Sequence, residues 1–363
     1  MKHTLNEELM ARYKALINSR VMIEIPEHSK SEYWKVHAAK VQITLNGDEA
    51  IAEGDSGFYA PTKKTAWSRF KKTVTLLGTP SKFFDRFKSL LGLPVNGIRL
   101  LDYFLAFEKV MECDPLAQVQ LSPSRINFKK LANQHFIYSS VAQCRANYSD
   151  CSGGKPFSGH TLVAYYYLNL LNSQTSLMHL ENPIILEIGG GNGNLSSVIK
   201  WHKKGGTMVS VDLPETLSHS ILYLASLFPD ARILLPNEIT SSSIISDYDF
   251  VFLTPKQLNL VNDKYIDLAI NVHSFQEMTH DQITDYFEFI QRVAKPESYF
   301  FTANRFEKIP AGEGSLDTET KALTNRFSEF PWNAQNEILV HEVCRFFRLV
   351  QLDAICNRLE KIK

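Results

Sequence analysis

An apolar run, Ile184-Ile185-Leu186, ends in the acid Glu187, and four glycines then fall within the five positions from Gly189 to Gly193. A helix-like segment, Asn194 to Ile199, follows at once. Glycines at this density leave the backbone bare, so the chain can turn sharply from strand to helix and a ligand can approach the amides at the helix start. Glu187, Gly189, Gly191 and Gly193 alternate, and the pattern reads E-x-G-x-G-x-G. A dinucleotide-binding turn needs another glycine three residues beyond Gly191, where this chain carries Asn194. The Lys-Ser/Thr ending of a nucleotide-triphosphate loop is also missing.

The next apolar segment, Met208 to Val211, closes on a second acid, Asp212. That acid lies one strand–helix–strand unit after Glu187, and a carboxylate there can accept hydrogen bonds from both hydroxyls of a ribose. Leu213 follows, placed to lie against an adenine face. Together these features resemble the loop with which class I methyltransferases hold S-adenosyl-L-methionine.

Composition bounds the setting. The chain has 363 residues, 44% hydrophobic and 21% charged, the balance of a soluble globular protein with two domains or one large domain and an appendage. A formal net charge of zero gives no global reason to expect a nucleic-acid partner. No run of about 18 apolar residues is present, so no membrane span is expected. The first residues, Met1 to Lys14, are charged throughout and lack a secretory apolar core. Five cysteines (Cys113, Cys144, Cys151, Cys344 and Cys356) match no zinc or disulfide spacing and suit free thiols in a reducing cytoplasm.

Residues 1–155 read as mainly helical, with helices expected over Asn6–Asn18 and Leu100–Met111 and turn signals at Asn46-Gly47-Asp48 and Glu53-Gly54-Asp55. This region is expected to serve acceptor binding or assembly, including a homo-oligomer. Thr62 to Gly92 carries eight Lys or Arg and one acid, Asp85, along an amphipathic pattern. It reads first as a solvated face over a core-facing stripe, and second as a contact for a membrane surface or an anionic acceptor. Small turn-forming residues from Ser149 to Pro156 mark a boundary, and residues 156–363 form the second domain. After a helix at Thr161–Leu171, strands and helices alternate, which predicts a parallel α/β sheet of Rossmann-like type. Strands are expected at Ile184–Glu187, Met208–Asp212, Arg232–Leu235, Asp249–Leu253, Ile266–Val272 and Tyr299–Ala303. Helices are expected at Glu215–Leu227 and Asp281–Val293. The tail from Glu337 to Val350 offers two apolar stretches for a closing antiparallel pair, although Glu337–Leu349 also reads as helix.

Ligands on such sheets bind beyond the carboxyl ends of the strands. Thr254, after the third good strand, is placed to edge the adenine, and Asn271 lies at the end of the next. His273 follows where a group would face a transferable methyl. An alcohol is a poor nucleophile at neutral pH, and a histidine, with an ordinary pKa near ~6.5, can take its proton as attack proceeds. Glu277 and His280 are the competing bases, and Glu277 is also placed to orient His273 or to bind a sugar hydroxyl. Asn304 and Arg305 close the fifth strand, placed either to face the acceptor or, equally, to form a structural salt bridge. Trp332 offers an aromatic ring for a sugar's apolar face, against core packing as the alternative. No metal cluster with ligand spacing is found.

The segments DFVFLTPKQL (Asp249 to Leu258), DLAINVHSFQEMTHDQITDYF (Asp267 to Phe287) and YFFTANR (Tyr299 to Arg305), downstream of the glycine loop, resemble the sugar O-methyltransferase family. The likeness covers roughly residues 150–310 and reaches the N-terminal third only loosely, through helical character and Tyr33-Trp34-Lys35. It implies methyl transfer from S-adenosyl-L-methionine to a hydroxyl of a saccharide or glycosylated small molecule. It implies cofactor contacts at Glu187, Gly189, Gly191, Gly193 and Asp212, and an acceptor edge of His273, Gln276 and Glu277. Competing expectations are a non-catalytic cofactor-binding partner protein, and an O-methyltransferase of a non-sugar small molecule or protein.

Overall fold

The computed structural model describes residues 2–23, 42–47, 49–53, 159–308, 325–343 and 355–363. In chain order these form β1 (Lys2–Thr4), α1 (Glu7–Ile17), α2 (Arg20–Ile23), β2 (Gln42–Asn46), β3 (Glu49–Glu53) and α3 (Gly159–Gln174). Then come β4 (Ile184–Ile188), α4 (Asn194–His202), β5 (Thr207–Val211), α5 (Pro214–Leu227), β6 (Ile233–Leu234), β7 (Phe250–Leu253), β8 (Ile266–Val272) and α6 (His280–Val293). The chain continues through β9 (Ala294–Arg305), β10 (Glu307–Lys308), β11 (Asn325–Arg326), β12 (Glu337–Val343) and β13 (Ile355–Lys361).

The main sheet has eight strands in the order β12-β13-β9-β8-β4-β5-β7-β6. From β6 to β9 every pairing is parallel, while β13 runs antiparallel between β9 and β12. This is an open α/β sheet of Rossmann-like type, with an antiparallel pair at one edge and the short β6 at the other. The connections leave β4 toward β5 on one side and return to β8 on the other, so the order reverses between β4 and β8. An open α/β sheet forms its ligand crevice at such a switch point.

Each face of the sheet buries its own core. Met208, Phe250, Leu268, Ile270 and Phe301 point to the face covered by α1, α3, α4 and α5. Leu186, Val209, Val251, Ala269 and Phe300 point to the face covered by α6. α6 places Ile283, Tyr286, Phe287, Ile290 and Val293 along one stripe, the spacing of a surface helix facing a core. Thr279 and Gln282 close its first turn as a reciprocal cap, which contributes about 1 kcal/mol.

The helix expected at Asn6–Asn18 is α1, capped by the Asn6 side chain, which accepts from the Leu9 N–H. Its buried residues Leu9, Met10, Tyr13 and Leu16 belong to the same cluster as Leu217, Ile221 and Leu224 of α5. Arg12 locks this arrangement by donating to both oxygens of Glu238 at 2.7 Å and to the Ile233 carbonyl at 2.6 Å. Tyr13 donates to the Ser218 carbonyl. Near it, β1, β3 and β2 form a three-stranded antiparallel sheet, with Asn46 opposite Glu49 across the turn at Gly47. The sequence showed this turn but not the strands flanking it.

The closing antiparallel pair differs from expectation at one strand. β12 falls within the expected tail, but its partner is Ile355–Lys361, beyond it. That strand escaped the sequence pattern because its interior carries Asn357, Arg358 and Glu360, all buried. Arg358 pairs with Glu360, which also accepts from Asn336, so the charges satisfy one another inside the sheet. The Leu100–Met111 helix, the basic segment Thr62–Gly92, Tyr33-Trp34-Lys35, the turn at Glu53-Gly54-Asp55 past Glu53, and the boundary at Ser149–Pro156 lie outside the described residues. So do Cys113, Cys144, Cys151 and Cys344, while Cys356 is a buried free thiol. Among the described residues no helix is long and apolar enough to cross a membrane.

Candidate active site

The glycine loop leaves β4 and is held from below by two carboxylates. Gly189 adopts φ +70° and donates its N–H to the Val211 carbonyl at 2.8 Å. A methyl group added there would lie 2.1 Å from the Ser274 hydroxyl oxygen, so the loop rests directly on the residue that follows His273. Only glycine permits that contact, because both the left-handed backbone and the space exclude a side chain. Gly193, at φ +86°, is the residue from which α4 starts, and a methyl there would meet Leu224 of α5 at 2.9 Å.

Glu187 is buried at the end of β4 and accepts a short hydrogen bond from the Ser196 hydroxyl. Burial pushes its carboxyl up to about 7; the Ser196 contacts oppose this, and the charge of Asp212 adds to it. Asp212 follows β5 and accepts the Gly191 N–H at 2.9 Å and the Leu213 N–H at 2.7 Å. Burial likewise raises it to about 7; the two N–H bonds pull it back, and the charges of Glu277 and Glu215 push it further up. The neighbouring acids therefore favour a positively charged occupant. Asn194 opens α4 with a buried side-chain oxygen that has no hydrogen-bond partner. Leu213 is buried as the residue preceding α5.

Across the switch point, the chain after β8 is bent tightly. His273 adopts φ +63°, an uncommon conformation for a residue other than glycine, and donates its N–H to the Ala303 carbonyl at 2.8 Å. Strain of this kind is concentrated at functional sites. Its Nε2 lies 3.0 Å from the hydroxyl of Tyr167 on α3. Sequence reasoning missed Tyr167, although the run Tyr165-Tyr166-Tyr167 on the helix just before the glycine strand was a visible signal.

Several expected site residues turn out to brace the crevice. Asn271 is fully buried and donates to the Ile188 carbonyl and the Ser274 hydroxyl, while its oxygen accepts from Asn304 and from the Phe275 N–H. Asn304 also donates to Thr302 and accepts the Gln276 N–H. Gln276 is buried, and its side-chain oxygen accepts the Arg305 N–H at 2.8 Å. These three residues knit the ends of β8 and β9 together. Thr254 is fully buried, its side chain and N–H engaged with Gln257 as a helix cap.

Three more expected residues have the following settings. Glu277 pairs with Lys308 at 2.7 Å, and His273 meets Tyr167. His280 is exposed on the first turn of α6. Trp332 packs among Phe287, Phe300, Phe327 and Phe330, donates to the Phe327 carbonyl, and carries the Arg358 guanidinium 4.1 Å above its ring. Its half-buried ring packs against the α6-side core, the alternative expected for it. Among the described residues no group of three or more His, Cys, Asp and Glu could hold a metal ion.

No family model matches the chain, and no curated protein matches its sequence. Solved structures show partial likeness. One is a chain of the complex between the Haloferax volcanii Trm112 methyltransferase activator and a methyltransferase. It is 12% identical, with 56% of this chain and 97% of that one covered and a TM-score of 0.35. A SAM-dependent methyltransferase from Methanosarcina mazei is 15% identical over 52% of this chain and 97% of its own, with a TM-score of 0.35. Phosphoethanolamine N-methyltransferase 2 of Haemonchus contortus, solved with phosphomonomethylethanolamine and S-adenosylhomocysteine, is 12% identical. There 55% of this chain and 53% of that one are covered, with a TM-score of 0.36. The strand order and the antiparallel β13, rather than these likenesses, define the fold class.

Proposed function

We propose that the protein is an S-adenosyl-L-methionine-dependent O-methyltransferase. One observation carries this reading: the glycine loop of β4 is packed against Ser274, which sets His273 beside the loop at the point where the strand order reverses. A donor held by the loop and an acceptor served by His273 then meet in one crevice.

The residues present suit that donor. The amides of Gly189–Gly193 and the orphaned Asn194 oxygen face the donor's amino-acid end, and Asp212 retains unused lone pairs for ribose hydroxyls. Glu187 sits behind the loop and shapes it through Ser196. Leu213, and the backbone at Thr254, border the adenine. When bound, the cofactor would supply an electrophilic methyl on a sulfonium for an acceptor oxygen. His273 takes the hydroxyl proton, and such general-base help contributes typically about 10²–10⁴-fold. Arg305 and Glu277 line the acceptor side, with Asn271, Gln276 and Asn304 holding its shape.

The likeness of Asn271–Met278 to the sugar O-methyltransferase segment supports a saccharide or glycosylated small molecule as acceptor. Residues 1–155 are proposed to cover the acceptor or to mediate assembly, with α1 as their anchor on α5.

Thermal melting with the donor or its demethylated product tests the reading. Either ligand at 100 times its dissociation constant raises stability by about 2.7 kcal/mol. No shift with either, on folded protein, would remove the proposal. Labelled methyl donor incubated with fractionated glycans and proteins then identifies the acceptor class, and label confined to protein would overturn the saccharide assignment.

A further inference from the structure

We infer that Arg12 is a positioning residue for the donor. It holds the turn from Leu235 to Glu238 and, through that turn, the end of β7, so that seating α1 and binding the donor favour one another. The inference rests on the methyl-transfer reading above and specifies what fixes its adenine border.

The first link is a clamp. Arg12 donates through Nε and Nη2 to the two oxygens of Glu238, and through Nη2 again to the Ile233 carbonyl of β6. Beside it, fully buried Tyr13 seats α1 in the core shared with α5 and donates to the Ser218 carbonyl. The second link is the turn itself. Glu238 donates its N–H to the Leu235 carbonyl, and its Oε2 accepts the Leu235 N–H, both at 3.0 Å. One carboxylate oxygen thus serves the guanidinium and the turn together. Buried Pro236 lies inside the turn with its φ fixed by the ring, and its carbonyl accepts the Gln257 amide at 2.7 Å.

The third link reaches β7. The Gln257 side-chain oxygen accepts the Thr254 N–H at 3.0 Å and the Thr254 hydroxyl at 3.1 Å. The amide has a single orientation, since the Pro236 carbonyl can only accept and the Thr254 N–H can only donate. Thr254 follows Leu253, whose carbonyl accepts the Asp212 N–H at 3.2 Å. A shorter path runs through β6, where Ile233 and Leu234 stand beside Phe250 and Val251 of β7. Both routes end between the proposed adenine border and the proposed ribose carboxylate.

The clamp matters because Glu238 has an alternative. Its side chain is 24% exposed, so without Arg12 the carboxylate turns to water, where a charge is better solvated. The buried Leu235 then loses the acceptor of its N–H, which destabilises the closed turn. The closed turn is the state that seats Gln257 against Thr254. A donor that requires Thr254 in place binds the closed turn better, and linkage makes the effect mutual between donor and α1.

The test uses the full-length protein, with calorimetry for the demethylated donor and hydrogen exchange read on Glu7–Ile17. In Arg12→Met the dissociation constant is expected to rise about tenfold, within the usual range for coupled sites. Donor KM should rise by the same factor while kcat and acceptor KM stay unchanged. Loss of folded protein alone would lower kcat and leave donor KM as it was. Saturating ligand should slow exchange in α1 about tenfold in the wild type. In Gln257→Met, which keeps the clamp and cuts the chain in its middle, that protection should vanish. Wild-type affinity in Arg12→Met, or undiminished protection of α1 in Gln257→Met, would overturn the inference. If Arg12→Met does not fold, the comparison of Gln257→Met with the wild type decides. Folded wild-type protein that binds neither donor nor product removes the methyl-transfer reading and the inference with it. Binding of equal strength in wild type and Arg12→Met removes the inference alone.

Discussion

The two sides of the crevice are built by different means. The proposed donor side is local: Glu187, the glycines and Asp212 come from one strand–helix–strand unit, and the hydrogen bonds that shape the loop are made within it. The proposed acceptor side is assembled from α3, β8, β9 and the segment around Lys308, which meet only in the folded chain. Backbone turns dictate the first, and side-chain hydrogen bonds between distant residues dictate the second. Damage on the donor side should abolish ligand binding, and damage on the acceptor side should impair turnover in bound enzyme.

The sharpest separation comes from His273→Gln. Turnover should fall about 10²–10⁴-fold while calorimetry records undiminished donor affinity. Unchanged turnover would place the base elsewhere. Gly189→Ala attacks the seam between the sides, combining overpacking against Ser274 with a left-handed backbone. Together these should cost about 2–5 kcal/mol in urea unfolding. Adding Ser274→Gly should recover the packing part, and no recovery would show that the seam is not the cause. Lys308→Met leaves the Glu277 carboxylate without its partner and should cost about 1–3 kcal/mol, measured the same way.

The donor side should also respond to pH. Glu187 and Asp212 each titrate near 7 in the folded protein, above the ordinary carboxylate range, so the unfolded chain ionises first. Stability that these groups leave intact below about pH 4 is therefore lost as pH rises toward 7. A cationic donor prefers the ionised acids, so its affinity should climb from pH 6 to pH 8 with release of protons. Calorimetry in buffers of different ionisation enthalpy measures this, and Asp212→Asn should flatten the dependence. The smallest effect belongs to Trp332→Phe. Loss of its contacts with Arg358 should cost about 1 kcal/mol in thermal melts and leave the acceptor KM unaltered.

That division explains what the chain's letters reveal. The turn from β4 to α4 was readable because glycine at Gly189, Gly191 and Gly193 has a backbone meaning independent of its surroundings. The parallel strands were readable from short apolar runs, β8 to the residue. β13 was hidden, since buried Arg358 and Glu360 look like surface residues until they are seen to pair with each other. Asn271, Asn304 and Thr254 lie at strand ends as expected, yet Asn271 and Asn304 bond each other from 33 residues apart and Thr254 completes a helix cap, and spacing alone cannot show which way an amide points. Tyr167 and His273 are 106 residues apart, a pairing that only the sheet order creates.

The seating of α1 on α5 has a practical corollary. A chain shortened to begin beyond Ile23 would strip four large side chains from α5 and leave a greasy strip open to water, along with an unneutralised Glu238. Such a fragment, though it keeps every residue of the crevice, should clump during preparation and score as inactive for reasons unrelated to its chemistry.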